Sequence, residues 1–167
     1  PQRSQGVDTY QIASTLRGLA RRIQALTAEA KAHEATLDDL VRSWRPDLLE
    51  LNGVGPVVAA TVLCAWSHPG RCRNDAAFAN LAGVAPLDAS SGLHQQHRFN
   101  PGGDRDLNQA LHIITLCRLR HDPRTRAYAQ RRRTDPNMTD RKIRRCLKRY
   151  IAREIYRLLE NGTPPTT

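Results

Sequence analysis

From Ile12 to Trp44 the apolar positions recur at alternating steps of four and three: Ile12, Leu16, Leu19, Ile23, Leu26, Ala30, His33, Leu37, Leu40 and Trp44. An unbroken stripe of this kind is the seam of a coiled coil and predicts one helix roughly 50 Å long at about 1.5 Å per residue. Asp8, three positions before Gln11, forms a capping box, so Pro1 to Val7 read as a loose lead-in. Ala30 and His33 weaken the middle of the stripe. No other segment matches its length, so the expected partner is a second copy of the chain or a segment before Pro1. The alternative is a long helix laid on the globular domain.

After residue 45 the pattern changes to short elements divided by glycine and proline. Leu48, Leu49 and Leu51 supply the apolar face of a first helix starting at Pro46. Gly53 can end it, because a residue without Cβ takes positive φ at little cost. Pro56 suits the first position of a second helix, which continues through Val58, Ala59, Val62 and Leu63. The expected unit is a helix-hairpin-helix over about 46–65. Its exposed amides, from Gly53, Val54 and Gly55 onward, suit a phosphate oxygen and read no base. The plain alternative is an αα-corner that needs glycine only for its turn.

Asn74 or Asp75 caps a short helix through Phe78 and Leu81, and Gly83-Val84-Ala85-Pro86 repeats the turn chemistry of the first hairpin. Residues 87–103 have no helical period and carry Ser90, Ser91, three glycines and Pro101. They predict an exposed loop with a short extended piece within Leu93 to Phe99. Asp104 caps a long helix containing Leu107, Leu111, Ile114, Leu116 and Leu119. Pro123 to Arg133 carries Arg131, Arg132 and Arg133 beside Tyr128. Asp135-Pro136-Asn137 then breaks the chain, and Thr139 starts a final helix over about 139–160. It buries Ile143, Leu147, Ile151, Ile155 and Leu158 or Leu159, and exposes Arg141, Lys142, Arg144, Arg145, Lys148, Arg149, Arg153 and Arg157. Residues 162–167 are a flexible tail.

Charge changes what this face means. Lys and Arg number 26 against 16 Asp and Glu, a net +10 on 167 residues, and such an excess points to an anionic partner. Most of the bases are arginine, whose planar fork suits phosphate. No apolar run approaches the length of a membrane-spanning helix, so nucleic acid is favoured over a membrane. Arg98 in the loop, Arg131 to Arg133, and Arg141, Lys142, Arg145, Lys148 and Arg149 of the final helix are the candidate DNA-binding side chains. Cys64, Cys72, Cys117 and Cys146 lack C-x-x-C spacing and read as reduced, core or near-core residues of a cytosolic protein. His94 and His97 form an H-x-x-H without nearby cysteine or paired carboxylates, so no metal site is assigned to this chain.

The order of these features carries a resemblance. Leu51-Asn-Gly-Val-Gly-Pro, then Phe78 with Leu81-Ala-Gly-Val-Ala-Pro86, then Ser90-Ser91-Gly92, then Gly103 with Leu107 and Leu111, and a basic last helix, resemble the C-terminal transposase domain of the bridge-RNA-guided insertion-sequence transposases. These enzymes join an N-terminal RuvC-like domain, a coiled-coil segment and this helical domain. The similarity covers roughly Asp47 to Leu159. It departs at Pro101, where the family has a basic residue, and at Leu107-Asn108, where the family has Leu-Arg.

The resemblance implies an all-α chain: a coiled-coil helix over 1–45, then a compact helical transposase domain over 46–161. It implies that Ser91, with Ser90 as second choice, is the nucleophile that attacks a DNA backbone phosphate and stays covalently attached. Such an adduct conserves the phosphodiester energy, so rejoining needs no ATP. A divalent metal, expected to be magnesium, would sit in a RuvC-like domain that these residues do not contain. DNA, a guide RNA and further copies of the chain are the implied partners in the bacterial cytoplasm. The chain alone is expected to bind DNA and cut nothing. The competing readings are a non-catalytic helix-hairpin-helix DNA-binding module and a coiled-coil assembly element.

Overall fold

The structure, a computed structural model, describes residues 2–88, 97–98 and 100–162. It is all-α, with helices α1 (Gln2–Trp44), α2 (Pro56–Trp66), α3 (Asp75–Leu81), α4 (Arg105–His121), α5 (Pro123–Arg133) and α6 (Asp140–Asn161). Leu87–Asp88 (β1) and His97–Arg98 (β2) pair antiparallel, Leu87 opposite Arg98. That extended piece is expected within 93–99. Ser90 and Ser91, the candidate nucleophiles, and His94 lie outside the described residues, as does the tail from 163.

Contacts divide the chain into residues 1–37 and 38–167. The first unit is a single stretch of α1 that starts at Gln2, so the expected lead-in to Val7 is helical. Thr15, Thr27 and Thr36 conform to the helix by returning their hydroxyls to carbonyls one turn back, as Thr27 does to Ile23 at 2.7 Å. The stripe from Ile12 to Leu26 is open to solvent, with Ile23 64% exposed.

The second unit holds the core. Leu48, Val62, Phe78, Leu107, Leu111, Ile114, Ile155 and Leu159 are almost wholly buried. α4 packs on α2, α5 and α6, and α6 packs on α3, α4 and α5, so these two helices frame the unit. A satellite cluster of Ala129, Ile143 and Leu147, joined by Leu119, Tyr128 and Met138, fastens α5 to α6. Three expected caps are in place. Asn74, Asp104 and Thr139 accept from the backbone N–H groups of Ala77, Leu107 and Lys142.

The last turn of α1 also belongs to the second unit, where Val41 is in the core. Next to it Arg45 is only 3% exposed, and its guanidinium closes the far end of the chain. It donates to the Leu158 and Leu159 carbonyls at 2.8 and 3.0 Å and forks onto Asp47 at 2.6 and 2.9 Å. A buried arginine thus caps α6 from its C-terminal end, where the helix dipole favours a cation. Its hydrogen bonds, together with its charge, hold the Asp47 carboxyl below the usual carboxylate range. Trp66 lies under the guanidinium, 5.9 Å from the ring centre, and donates its indole N–H to Glu160.

Two further expectations need correction, and one segment with no expected element is helical. The first arm of the 46–65 hairpin is a three-residue 3₁₀ helix, Pro46–Leu48, followed by turns. Leu51 N–H bonds the Leu48 carbonyl and Val54 N–H that of Leu51, an i to i−3 winding that fits the few residues between Pro46 and Gly53. Residues 123–133 form α5, with Asp122 as cap and Pro123 in the first position. Cys64 is exposed rather than near the core, while Cys72 is buried, Cys117 and Cys146 are half-buried, and all four are unpaired thiols.

Candidate nucleic-acid interface

The two Leu-x-Gly-Val-x-Pro turns dock on the two ends of α4. Gly53 has φ +84° and Gly83 φ +63°, the left-handed region that only glycine enters freely. A Cβ at Gly53 would stand 3.2 Å from the Cβ of Cys117 and 3.3 Å from the Ile114 carbonyl. At Gly83 it would meet the Asn100 carbonyl at 3.1 Å and the Asn108 side chain at 3.4 Å. Each turn is therefore pressed against α4 by its glycine.

Both turns are held in the same way. The carbonyl before the first glycine, Asn52, accepts from Arg118 Nε at 2.7 Å, and Arg118 pairs with Glu154 of α6 at 2.6 Å. The carbonyl before the second, Ala82, accepts from Asn108 Nδ2 at 2.7 Å. Lys148 of α6 completes that arrangement, donating to Asn108 Oδ1 at 2.7 Å and to its backbone carbonyl at 3.2 Å. Periodicity along the chain gives no sign of Arg118, Glu154 or Asn108. The repeated turn motif is the available signal.

The second turn is also the root of the 87–103 segment. A Cβ at Gly103 would lie 2.2 Å from the Gly83 nitrogen, so the two strands of backbone touch there. Asp104 N–H bonds the Leu81 carbonyl at 2.6 Å while the Asp104 carboxylate caps α4. The segment expected to carry the nucleophile therefore leaves and rejoins the domain at one fixed point.

The hairpin at 53–55 is placed less symmetrically than expected. Val54 is buried, while Gly55 is exposed with nothing near its Cβ position and caps α2 without a side chain. The open N-terminus of α2 is thus the part of this turn that can meet an anion.

Among the candidate cations the outcome is mixed. Arg98 is exposed on β2, and Arg141 and Arg144 are exposed on α6. Arg131 lies over the Tyr128 ring at 5.8 Å, and burial pushes the Tyr128 hydroxyl up to about 12. Arg132 is half-buried and donates to Met138 Sδ, Arg133 pairs with Asp140 at 2.8 Å, and Lys142 donates to the Asn137 carbonyl. Arg145, Lys148, Arg149 and Arg153 are half-buried, not exposed as the periodicity suggested. Arg153 bonds Asp75 at 2.7 Å and Arg149 stands 3.5 Å from it, fastening α6 to the start of α3. The Arg153 hydrogen bond, with Arg149 and Arg157 nearby, holds the Asp75 carboxyl below the usual carboxylate range. Among the described residues no group of three His, Cys, Asp or Glu side chains converges as a metal site, and no helix is long and apolar enough to cross a membrane.

Residues 46–130, which contain both turns, α4 and most of α5, match the sequence profile of the Transposase IS116/IS110/IS902 family. The chain is 28% identical over 149 residues to the uncharacterized 43.6 kDa protein of insertion element IS110 from Streptomyces coelicolor, covering 87% of this chain and 36% of that protein. It is 30% identical over 138 residues to the uncharacterized 42 kDa protein of insertion element IS900 from Mycobacterium paratuberculosis, covering 77% and 34%. The chain thus spans about a third of the length of the curated relatives it matches. With half of its residues matched by the profile, the chain belongs to the Transposase IS116/IS110/IS902 family and carries the C-terminal transposase domain of that family.

Proposed function

We propose that this chain is the DNA-binding part of a bacterial, cytoplasmic insertion-sequence recombinase and supplies the serine nucleophile for strand cleavage and rejoining. The observation that carries the reading is the fixed root at Gly83 and Gly103, from which the Ser90-Ser91-Gly92 segment departs within a family-matched domain. A nucleophile must be held in a near-attack position, and a loop anchored at one point to two framing helices is suited to that.

In this reading Ser91 Oγ attacks a backbone phosphorus. An Oγ–P bond forms as one P–O bond to deoxyribose breaks, and the freed sugar hydroxyl takes a proton. The reverse step rejoins a strand without ATP. Serine needs a base to take its proton, helped where a metal makes the hydroxyl more acidic. The described residues of this chain offer no ligand set for a metal. The reading therefore assigns metal, and the guide RNA, to the rest of a longer protein with a RuvC-like domain. Arg98, Arg131, Arg141, Arg144 and the α2 N-terminus draw the phosphate backbone toward the domain. The exposed stripe from Ile12 to Leu26 joins copies of the chain, since an apolar stripe of that length is unfavourable in water.

The test of the chemistry uses the full-length transposase. Ser91→Ala should abolish the covalent protein–DNA adduct on a denaturing gel and leave DNA affinity within about twofold, since one hydroxyl and no core volume is removed. Ser90→Ala should slow the reaction and leave an adduct. If Ser90→Ala alone removes the adduct, the nucleophile is Ser90. If the double variant recombines normally, the serine mechanism is wrong. The assembly role is checked by light scattering: Leu19→Asp with Leu26→Asp should reduce the mass in solution, and an unchanged monomeric mass would refute it.

A further inference from the structure

The two clamped turns differ in one electrostatic respect. At the first turn the cation, Arg118, is on α4 and meets a carboxylate, Glu154, on α6. At the second the α4 residue is the neutral Asn108 and the cation, Lys148, comes from α6. Lys148 spends its bonds on an amide oxygen and a backbone carbonyl, neither of which cancels its charge. One turn away on each helix stand Arg144 and His112, since residues four apart share a helix face. The acids around them are engaged: Asp140 pairs with Arg133 at 2.8 Å, Glu154 with Arg118 at 2.6 Å, and Asp104 accepts from the Leu107 N–H as the α4 cap. Lys148 and His112 are half-buried beside the exposed Arg144, and three basic groups gathered with their neighbouring acids already engaged favour an incoming anion.

We infer that the junction of α4 and α6 at Lys148, Arg144 and His112 holds a backbone phosphate of the DNA, and that Lys148 ties this phosphate through Asn108 to the root of the 87–103 segment. The inference rests on the reading that the chain acts on DNA, and it adds the place where strand position is communicated to the cleaving loop. Two further observations support it. Burial, with Lys148 and Arg144 nearby, lowers the His112 value, and burial lowers that of Lys148, so both groups gain from an incoming negative charge. The Ala82 carbonyl that Asn108 holds belongs to the turn that touches Gly103, so a displacement of Lys148 is passed to both ends of the segment. DNA is favoured over guide RNA because this root is where the segment that carries the proposed nucleophile joins the domain.

The test measures the affinity of the 167-residue chain for a DNA duplex as a function of salt. Each phosphate contact contributes about 0.9 to the slope of log K against log salt. Lys148→Met, which keeps the apolar stem, should lower the slope by about one contact, and Lys148→Arg should restore it. Arg144→Gln, at an exposed position outside the core, should lower it by a similar amount even if Lys148→Met impairs folding. Asn108→Ala should leave the slope unchanged. In the full-length transposase at saturating DNA, both Lys148→Met and Asn108→Ala should slow adduct formation at least tenfold. Unchanged slopes for Lys148→Met and Arg144→Gln overturn the proposal, as does a slope that falls only with an RNA duplex. If the unaltered transposase forms no adduct, the serine reading fails, while the salt slopes still decide this one.

Discussion

The first and second Leu-x-Gly-Val-x-Pro turns start from the same local instructions and end in different roles. Both place glycine at positive φ, both press it on α4, and both have the preceding carbonyl held from α4 with a side chain of α6 behind it. The first then runs into Pro56 and α2, so it is a corner between elements of the core. The second runs into Pro86 and β1, and it meets the returning chain at Gly103. A turn motif therefore specifies a backbone path, and its role depends on the element that comes next in the chain and on the charges gathered around it.

The largest test of this contrast is at Gly103. Alanine there would put a methyl group 2.2 Å from the Gly83 nitrogen, and backbone cannot yield as a flexible side chain can. We expect a loss of about 3 kcal/mol or more in chemical denaturation. Gly53→Ala and Gly83→Ala should each cost about 2 kcal/mol, from left-handed strain of roughly 1–2 kcal/mol plus the crowding against α4. Gly55→Ala, in open space, should stay within about 0.5 kcal/mol. A costless change at either left-handed glycine would break the equivalence of the two turns.

A smaller effect sharpens the electrostatic half. Glu154→Gln removes the acid behind the first turn and makes it resemble the second. Stability should change by less than about 1 kcal/mol, because Glu154 is 45% exposed, while DNA binding should tighten and its salt slope steepen by up to about one contact. An unchanged slope would mean that charge balance does not separate the turns. The smallest expected effect is in acid. The folded value of His112 lies below its ordinary 6.5, so the unfolded chain binds the proton first. Its contribution to stability is complete above the ordinary value and declines as pH falls from there through the folded value. His112→Gln should flatten the dependence of melting temperature on pH across that window.

Much of this architecture is legible in the residues. Periodicity locates α1, α4 and α6, and the caps Asn74, Asp104 and Thr139 mark three helix starts, because these signals act within one or two turns. α5 escapes because Pro-Arg-Thr-Arg-Ala-Tyr-Ala-Gln-Arg-Arg-Arg has almost no apolar stripe; its start lies in Asp122-Pro123, a cap followed by proline. Periodicity also overstates the open basic face of α6. Which arginines remain open depends on Asp75, 78 positions before Arg153, and no local pattern carries that distance. The clamps on the two turns are hidden for the same reason, with Arg118 reaching 66 positions back and Lys148 reaching 40. Ser90 and Ser91 lie outside the described residues, so the resemblance, with the anchoring of the segment that contains them, carries that assignment.

Arg45 has a consequence for synthesis. It leaves the ribosome 113 residues ahead of Leu158, one of the two carbonyls it caps. Until α6 emerges, the nascent chain has only Asp47 to offer this guanidinium, and burying it half-satisfied is costly. The core around Leu48 and Trp66 therefore closes last, when the final helix arrives. A chain that stops before Leu158 lacks the carbonyls that Arg45 caps and cannot complete this part of its interior.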